Sequence, residues 1–185
     1  AERGVDAIKN YFEEIDRKGS TISKLLKVVL VGDAMAGKTS LRNAIAGARD
    51  PRQPEEARTI HADIITRVPV DERLILNLYD CGGQRGYLAG QLPFINDLAL
   101  FVFVVEALKA TDDYFEQSVE RFLVLLLARA PGAVVQFVLS KVDLVSDADD
   151  RCCWLENKVN GWLAERRAES EKRNEEFTSL RVQQK

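Results

Sequence analysis

The chain has 185 residues, of which 46% are hydrophobic and 30% charged, a balance that suits one globular domain with a well-buried core. A formal charge of −3 excludes a global electrostatic pull toward nucleic acid or an anionic membrane. Three cysteines without framework spacing exclude a disulfide scaffold and suit a reducing, cytoplasmic setting, and a single histidine argues against a His/Cys metal site.

In chain order, Val5, Ile8, Phe12 and Ile15 recur at helical spacing, and Gly19-Ser20 ends that segment. Leu25 to Val31 is almost wholly apolar, as a strand buried on both faces requires. A glycine-containing turn leads into a helix from about Lys38 to Ala46, with Gly47 as its C-cap. Residues 49–58 hold two prolines and many charges and read as a mobile loop. His61 to Val70 and Arg73 to Tyr79 form a predicted hairpin about Asp71-Glu72. Ala99 to Val105 is a buried strand. Asp113, with Glu116 three residues on, has the capping-box pattern for a helix whose apolar face is Phe115, Val119, Phe122, Leu123, Leu126 and Leu127. Pro131-Gly132 stops that helix, and Val134 to Leu139 is another buried strand. A long helix follows with Trp154, Leu155, Val159, Trp162 and Leu163 inward, then a charge-rich run from Glu165 to Glu176. No internal repeat is present. No apolar run is long enough to span a bilayer, and the ends carry neither a myristoylation nor a prenylation signal, so no direct membrane anchor is expected in this segment.

Buried strands alternating with amphipathic helices imply an α/β fold: a mostly parallel sheet with one antiparallel edge strand, flanked by helices. Such sheets bind ligands beyond the carboxyl ends of their strands. Three motifs sit at those ends.

The first is Gly32-Asp33-Ala34-Met35-Ala36-Gly37-Lys38-Thr39, followed by Ser40. It matches G-x-x-x-x-G-K-[ST] and lies between a buried strand and a helix, the context a phosphate loop needs. Backbone N–H groups and the helix N-terminus favour phosphate, Lys38 reaches the β- and γ-phosphates, and the Thr39 hydroxyl holds Mg²⁺. The second is Asp80-Cys81-Gly82-Gly83-Gln84. Asp80 can bind Mg²⁺ through water, Gly83 can offer its N–H to the γ-phosphate, and Gln84 can orient the attacking water. Alone this is common turn chemistry; behind a phosphate loop it is a catalytic motif. The third is Ser140-Lys141-Val142-Asp143. A carboxylate at Asp143 accepts from the two N–H donors on the Watson–Crick edge of guanine, a pair adenine lacks, and the Lys141 stem can lie along the base plane. Alone this tetrapeptide reads as a capped turn; its order behind the other two motifs selects base recognition.

These motifs, in this order, resemble those of the Ras-like GTPase superfamily over about residues 25 to 165. The resemblance implies a P-loop NTPase of the Ras-like G-domain type that uses Mg²⁺, binds GTP and GDP, and hydrolyses GTP with Lys38, Gln84 and Thr59 as catalytic groups. Thr59, in Arg58-Thr59-Ile60, is the candidate first-switch threonine that senses the γ-phosphate through Mg²⁺; Thr66 is a weaker alternative, and a residue simply leading into the strand is the plainer reading. The Gly4 to Phe12 stretch and Gly82-Gly83-Gln84 also resemble the Roc domain of Roco proteins. That likeness implies a larger signalling protein with a COR domain as partner, and it leaves a homodimer open. Residues 1–24 are then a lead-in helix and linker, and 25–185 the G domain. Leu180-Arg181-Val182 starts its last strand, and the last base-binding loop is expected to be cut off by truncation.

Two positions depart from the family pattern. Ser140 stands where most relatives carry asparagine or threonine, which weakens expected guanine affinity, and Ala34 puts a methyl where Ras has glycine, which implies slow turnover. The competing functions are a nucleotide-binding scaffold or dimerisation module with negligible hydrolysis, and an ATP-using P-loop enzyme, which Asp143 disfavours. His61 and Arg85 read as solvated switch residues, and Cys152-Cys153 as small packing residues at a helix start.

Overall fold

A computed structural model describes residues 25–48, 62–70, 74–82, 95–96, 98–172 and 181–183. The lead-in helix, the 49–58 loop, the Asp71-Glu72 turn, Thr59, His61, Gly83, Gln84 and Arg85 lie outside them.

The element order is β1 (Leu25–Val31), α1 (Lys38–Ile45), β2 (Ala62–Pro69), β3 (Ile75–Cys81) and β4 (Ala99–Glu106). A helix, α2, then changes pitch along its length: Asp112–Tyr114 is α-helical, Phe115–Glu120 π-helical and Arg121–Arg129 α-helical again. It leads to β5 (Val134–Ser140), the 3-10 turn Val142–Leu144, α3 (Ala148–Lys172) and β6 (Arg181–Gln183). The six strands form one sheet in the order β2-β3-β1-β4-β5-β6. Only the β2–β3 pairing at the edge is antiparallel; β1 pairs in parallel with β3 and β4, β4 with β5, and β5 with β6. The expected mostly parallel sheet and its last strand are both present.

Alternation along each strand feeds two cores. On one face Val29, Val31, Phe101, Phe103 and Val105 pack against Phe115, Val119, Phe122, Leu123 and Leu126 of α2 and Leu155, Val159 and Trp162 of α3. On the other, Val28, Leu30, Leu76, Leu78, Val102 and Val104 pack with Ala36 and Leu41 beside α1. Val28–Val31 of β1 and nearly all of β4 are buried on both faces, which is why those stretches run apolar without a polar phase. The helices are also tied to each other: Trp162 donates its indole N–H to Glu120 (2.9 Å) and Trp154 to Asp112 (3.1 Å).

Three local expectations are corrected. The cap of α2 is Thr111, not Asp113: its backbone is extended and its hydroxyl accepts the Tyr114 N–H at 3.3 Å. Asp112 and Asp113 instead occupy the first turn, where the helix dipole favours acids, and Glu116 falls in the π-helical segment, out of capping-box position. The C-cap of α1 is Ala46, and Gly47 is one position beyond, with φ +80. Cys152 and Cys153 are exposed on α3 and belong to neither core. β2 also carries an irregularity the sequence hid. Its register slips between Ile65 and Val68, where Arg67 has φ +58 and donates its backbone N–H to the Asn77 side chain at 3.0 Å.

Candidate functional site

The parallel strands β1, β3, β4 and β5 end on one edge of the sheet, and the chemistry-bearing residues gather there. Gly32 follows β1, Asp80 and Cys81 close β3, Glu106 closes β4 and Ser140 closes β5.

The Gly32–Thr39 segment must pass hard against β4. A Cβ on Gly32 would sit 2.3 Å from the Val104 carbonyl oxygen, and φ is +131, so only glycine fits. Met35 at φ +65 and Gly37 at φ +90 then bend the chain into a concave loop. Left-handed residues alternating with right-handed ones turn successive N–H groups to one side, the arrangement of an anion nest. The nest opens directly into α1. No side chain caps that helix, and its first turn holds no acid, so its positive end is left to an anionic ligand.

Lys38 is buried at 6% exposure and curls back over this loop. Its ammonium donates to the Gly32 and Asp33 carbonyls at 3.1 and 2.7 Å. Burial holds its pKa below the ordinary lysine value, against the pull of Asp80 and Asp33. A cation held in this way stands ready beside the concavity. Ser140 completes the loop's support. Its hydroxyl lies 2.7 Å from the Ala36 carbonyl oxygen and 3.2 Å from that of Val105. Ser140 therefore faces the loop and braces it.

Asp80 is fully buried, and its Oδ2 accepts the Thr39 hydroxyl. A hydroxyl beside a carboxylate, both hard oxygens at the mouth of an anion nest, fits Mg²⁺, which takes one or two protein ligands and completes its shell with phosphate and water. No group of three or more His, Cys, Asp or Glu side chains forms a metal cage among the described residues, and none is needed for that ion. Ser40, the next residue of α1, is half-buried and lies one position past this pair.

At the far end of the edge, Lys141 takes φ +55, and its ammonium pairs with Glu106 at 3.1 Å. Lys109 pairs with the other Glu106 oxygen at the same distance. Burial pushes the Glu106 carboxyl up, but hydrogen bonds from the two lysines outweigh it and hold its pKa below the usual range. Asp143 is exposed in the 3-10 turn just after Lys141. Arg151 of α3 donates to the Ala107 carbonyl at 2.8 Å and ties that helix to the end of β4.

Thus the described part of the edge carries Gly32–Thr39, Asp80, Ser140, Lys141 and Asp143, with the Ser140 hydroxyl turned to the loop. Thr59, Gly83 and Gln84 cannot be placed against it, because they lie outside the described residues. Three residues that sequence reasoning passed over also belong here. Glu106 had a readable signal, being the first polar residue after an apolar strand. Arg42 had one too, at i+4 from Lys38 and so on the same face of α1. Ser118, whose hydroxyl meets Asp33 at 3.3 Å, had none, because the π-helical turn that aims it is invisible in the sequence.

Residues 27–143 match the family described as "Ras of Complex, Roc, domain of DAPkinase". The Arabidopsis thaliana "Ras-related protein RABG3b" is 31% identical over 147 residues, which cover 77% of this chain and 70% of that protein. "Malignant fibrous histiocytoma-amplified sequence 1" of Homo sapiens is 26% identical over 173 residues, or 85% of this chain and 16% of that protein. The "Roc-COR-CHAT protease" of Runella zeae is 30% identical over 139 residues, covering 68% and 15%. The chain therefore spans about a sixth of these two longer relatives. Among solved structures, that of Methanosarcina barkeri Roco2 RocCORdC bound to GDP matches with a TM-score of 0.51 and 24% identity, over 68% of this chain and 37% of that one, a likeness of fold. No helix among the described residues is long and apolar enough to cross a membrane. Since the family match runs through more than half of the chain, from β1 to Asp143, the chain belongs to the Roc family of Ras-like GTPase domains.

Proposed function

We propose that this chain binds GTP and GDP with Mg²⁺, hydrolyses GTP slowly, and serves as the nucleotide-controlled switch of a larger multidomain protein. The observation that carries the reading is the buried Lys38 ammonium, held on the carbonyls of Gly32 and Asp33 at the rim of an uncapped helix N-terminus.

In this reading the N–H groups of Asp33 to Ser40 and the Lys38 ammonium bind the α-, β- and γ-phosphates. Thr39 and Asp80 hold Mg²⁺, with Thr59 joining them from the first switch. Magnesium, when bound, neutralises charge on the β- and γ-phosphate oxygens. Gly83 donates its N–H to the γ-phosphate, and Gln84 orients the water for in-line attack. Asp143 accepts from guanine, with the Lys141 stem along the base, its ammonium being fixed by Glu106. The γ-phosphate holds Thr59 and Gly83, and its loss releases both segments. The Ala34 methyl crowds the water, and so turnover is low. The G domain begins at Leu25, behind a lead-in segment formed by residues 1–24. Two similar proteins, the Roc-COR-CHAT protease and Roco2 RocCORdC, pair a Roc domain with COR by name, which supports a COR domain as the partner in this chain's parent. Free thiols at Cys81, Cys152 and Cys153 support a cytoplasmic location.

The test measures binding of GDP, GTP and ATP to the purified chain, then phosphate release. Guanine nucleotides bind in preference to ATP, and phosphate is released above the uncatalysed rate. Lys38→Ala abolishes binding, and Asp143→Asn shifts preference from guanine toward xanthine. Preference for ATP refutes the guanine assignment. Tight GDP binding without any phosphate release refutes the enzyme and leaves a nucleotide-binding scaffold. A single-turnover rate no faster in Ala34→Gly refutes the crowding role of that methyl.

A further inference from the structure

Asp63 and Asp80 sit directly across from each other on the antiparallel strands β2 and β3. Two carboxylates in register on neighbouring strands repel. The structure sets a guanidinium between them. Arg42, on α1 one turn beyond Lys38, is 6% exposed, and its Nη1 pairs with Asp63 while lying 3.8 Å from Asp80 Oδ2. Its Nε and Nη2 hold the Asn43 side-chain oxygen at 3.1 and 2.8 Å, which fixes the fork from its other side. The Asp80 oxygen that accepts the Thr39 hydroxyl is the one that faces Arg42.

We infer that Arg42 is a positioning residue for the metal: it offsets the charge of Asp80 and so raises the Mg²⁺ concentration that nucleotide binding requires. The inference rests on the reading that Thr39 and Asp80 hold Mg²⁺. Its physics is unequal screening. The Arg42 side chain is 8% exposed and acts on Asp80 through protein, whereas Asp63 is 60% exposed and its charge is largely answered by water. Asp63 therefore cancels only part of the guanidinium field at the metal position. It also fixes where the fork lies. Asp63 is the second residue of β2, so a shift of that strand would change how Arg42 is shared between the two acids.

The experiment follows release of a fluorescent GDP from the chain at buffered free Mg²⁺ concentrations, with a melting curve for each variant. The unaltered chain holds GDP better as Mg²⁺ rises. Arg42→Met lowers the half-effective Mg²⁺ concentration by about tenfold, the equivalent of one buried charge acting at this range in a partly screened site. Arg42→Lys keeps the charge and stays nearer the unaltered chain. Asp63→Asn frees the fork to turn onto Asp80 and raises the half-effective concentration. If Arg42→Met does not fold, the double variant Arg42→Met/Asp63→Asn removes the carboxylate repulsion as well, and its value still falls below that of the unaltered chain. A folded Arg42→Met, or double variant, with an unchanged or raised requirement overturns the inference and leaves Arg42 a structural ion pair. Failure of the underlying reading looks different: GDP release in the unaltered chain then ignores Mg²⁺, or Thr39→Ala keeps the full dependence. Either result overturns both.

Discussion

Ser140 offers the sharpest separation between a residue that touches the ligand and one that holds the loop. It ends β5, pairs in register with Glu106, and lies 2.7 Å from the Ala36 carbonyl oxygen with its hydroxyl. That hydroxyl has one proton, and the longer contact to Val105, at 3.2 Å, makes Ala36 its principal acceptor. Ala36 is 1% exposed, so water cannot readily replace the lost donor. Ser140→Ala deletes only the hydroxyl and keeps the Cβ in place. A buried carbonyl stripped of its partner costs about 1–3 kcal/mol. In a domain of this size each kcal/mol lowers Tm by about 2–4 °C. The melting temperature of the nucleotide-free chain should fall by that amount. The loop must then be re-formed by the ligand, so GDP affinity falls as well, by about tenfold if 1.4 kcal/mol of the cost is met on binding. Ser140→Thr keeps the hydroxyl and restores both values. Calorimetric melting and GDP titration on the three chains decide the matter. A Ser140→Ala chain with unchanged Tm and unchanged GDP affinity would refute the brace. Unchanged Tm with weakened guanine but not inosine binding would instead place the serine against the base.

Three further outcomes follow from the geometry. Gly32→Ala drives a methyl to 2.3 Å from the Val104 oxygen at a left-handed φ of +131, and strain plus overpacking cost about 3 kcal/mol or more; a urea midpoint equal to that of the unaltered chain would refute the close approach. Glu106 has a lowered pKa in the fold because Lys141 and Lys109 outweigh its burial, so its stabilisation is complete above the unfolded value of about 4.3 and is lost as pH falls through the folded value. The Tm difference between the unaltered chain and Glu106→Gln should therefore be largest near neutrality and close below about pH 4, and a difference that grows in acid contradicts the assigned sign. Burial pushes the Cys81 thiol up to about 11, whereas Cys152 and Cys153 are exposed. Iodoacetamide at pH 8 should add two labels to the native chain by intact mass, and labelling of Cys81 in the folded state is the result that would count against its burial.

What could be read in advance, and what could not, divides along physical lines. β1 and β4 are legible because a stretch buried on both faces has to be apolar, and Val28–Val31 and Phe101–Val105 obey that rule; β5, expected as a buried strand, buries only Val135 fully. The phosphate loop is legible because Gly32 and Gly37 are demanded by backbone conformation rather than by chance. Asp113 misled because Asp-x-x-Glu is a capping box only if the next turn is α-helical. Here the chain widens into a π-helix at Phe115, and the extended Thr111 takes the cap two residues earlier. The Arg67 bulge was hidden because an arginine in a strand carries no mark of positive φ, and its cause, the Asn77 side chain, comes ten residues later.

Arg42 and Glu106 failed for a different reason, and it bears on function. Each is a charged residue that the motifs do not include, and each is buried: Arg42 at 6% and Glu106 at 8% exposure. Buried charges are held only where partners offset their desolvation. Both sit on the same sheet edge as the loop, one at the Thr39–Asp80 end and the other at the Lys141–Asp143 end. Neither serves the apolar core, which is complete without them. The edge thus carries two fixed ion pairs flanking the loop that Ser140 braces from beneath. Each pair fixes a neighbouring group, Arg42 beside Asp80 and Glu106 on Lys141, the groups that the proposed function assigns to the metal and to the base. A fold that needed only to be stable would place well-packed apolar side chains at both positions at little cost or some gain. Under the proposed function, these two charges hold the edge in one geometry for an anionic, metal-bearing ligand.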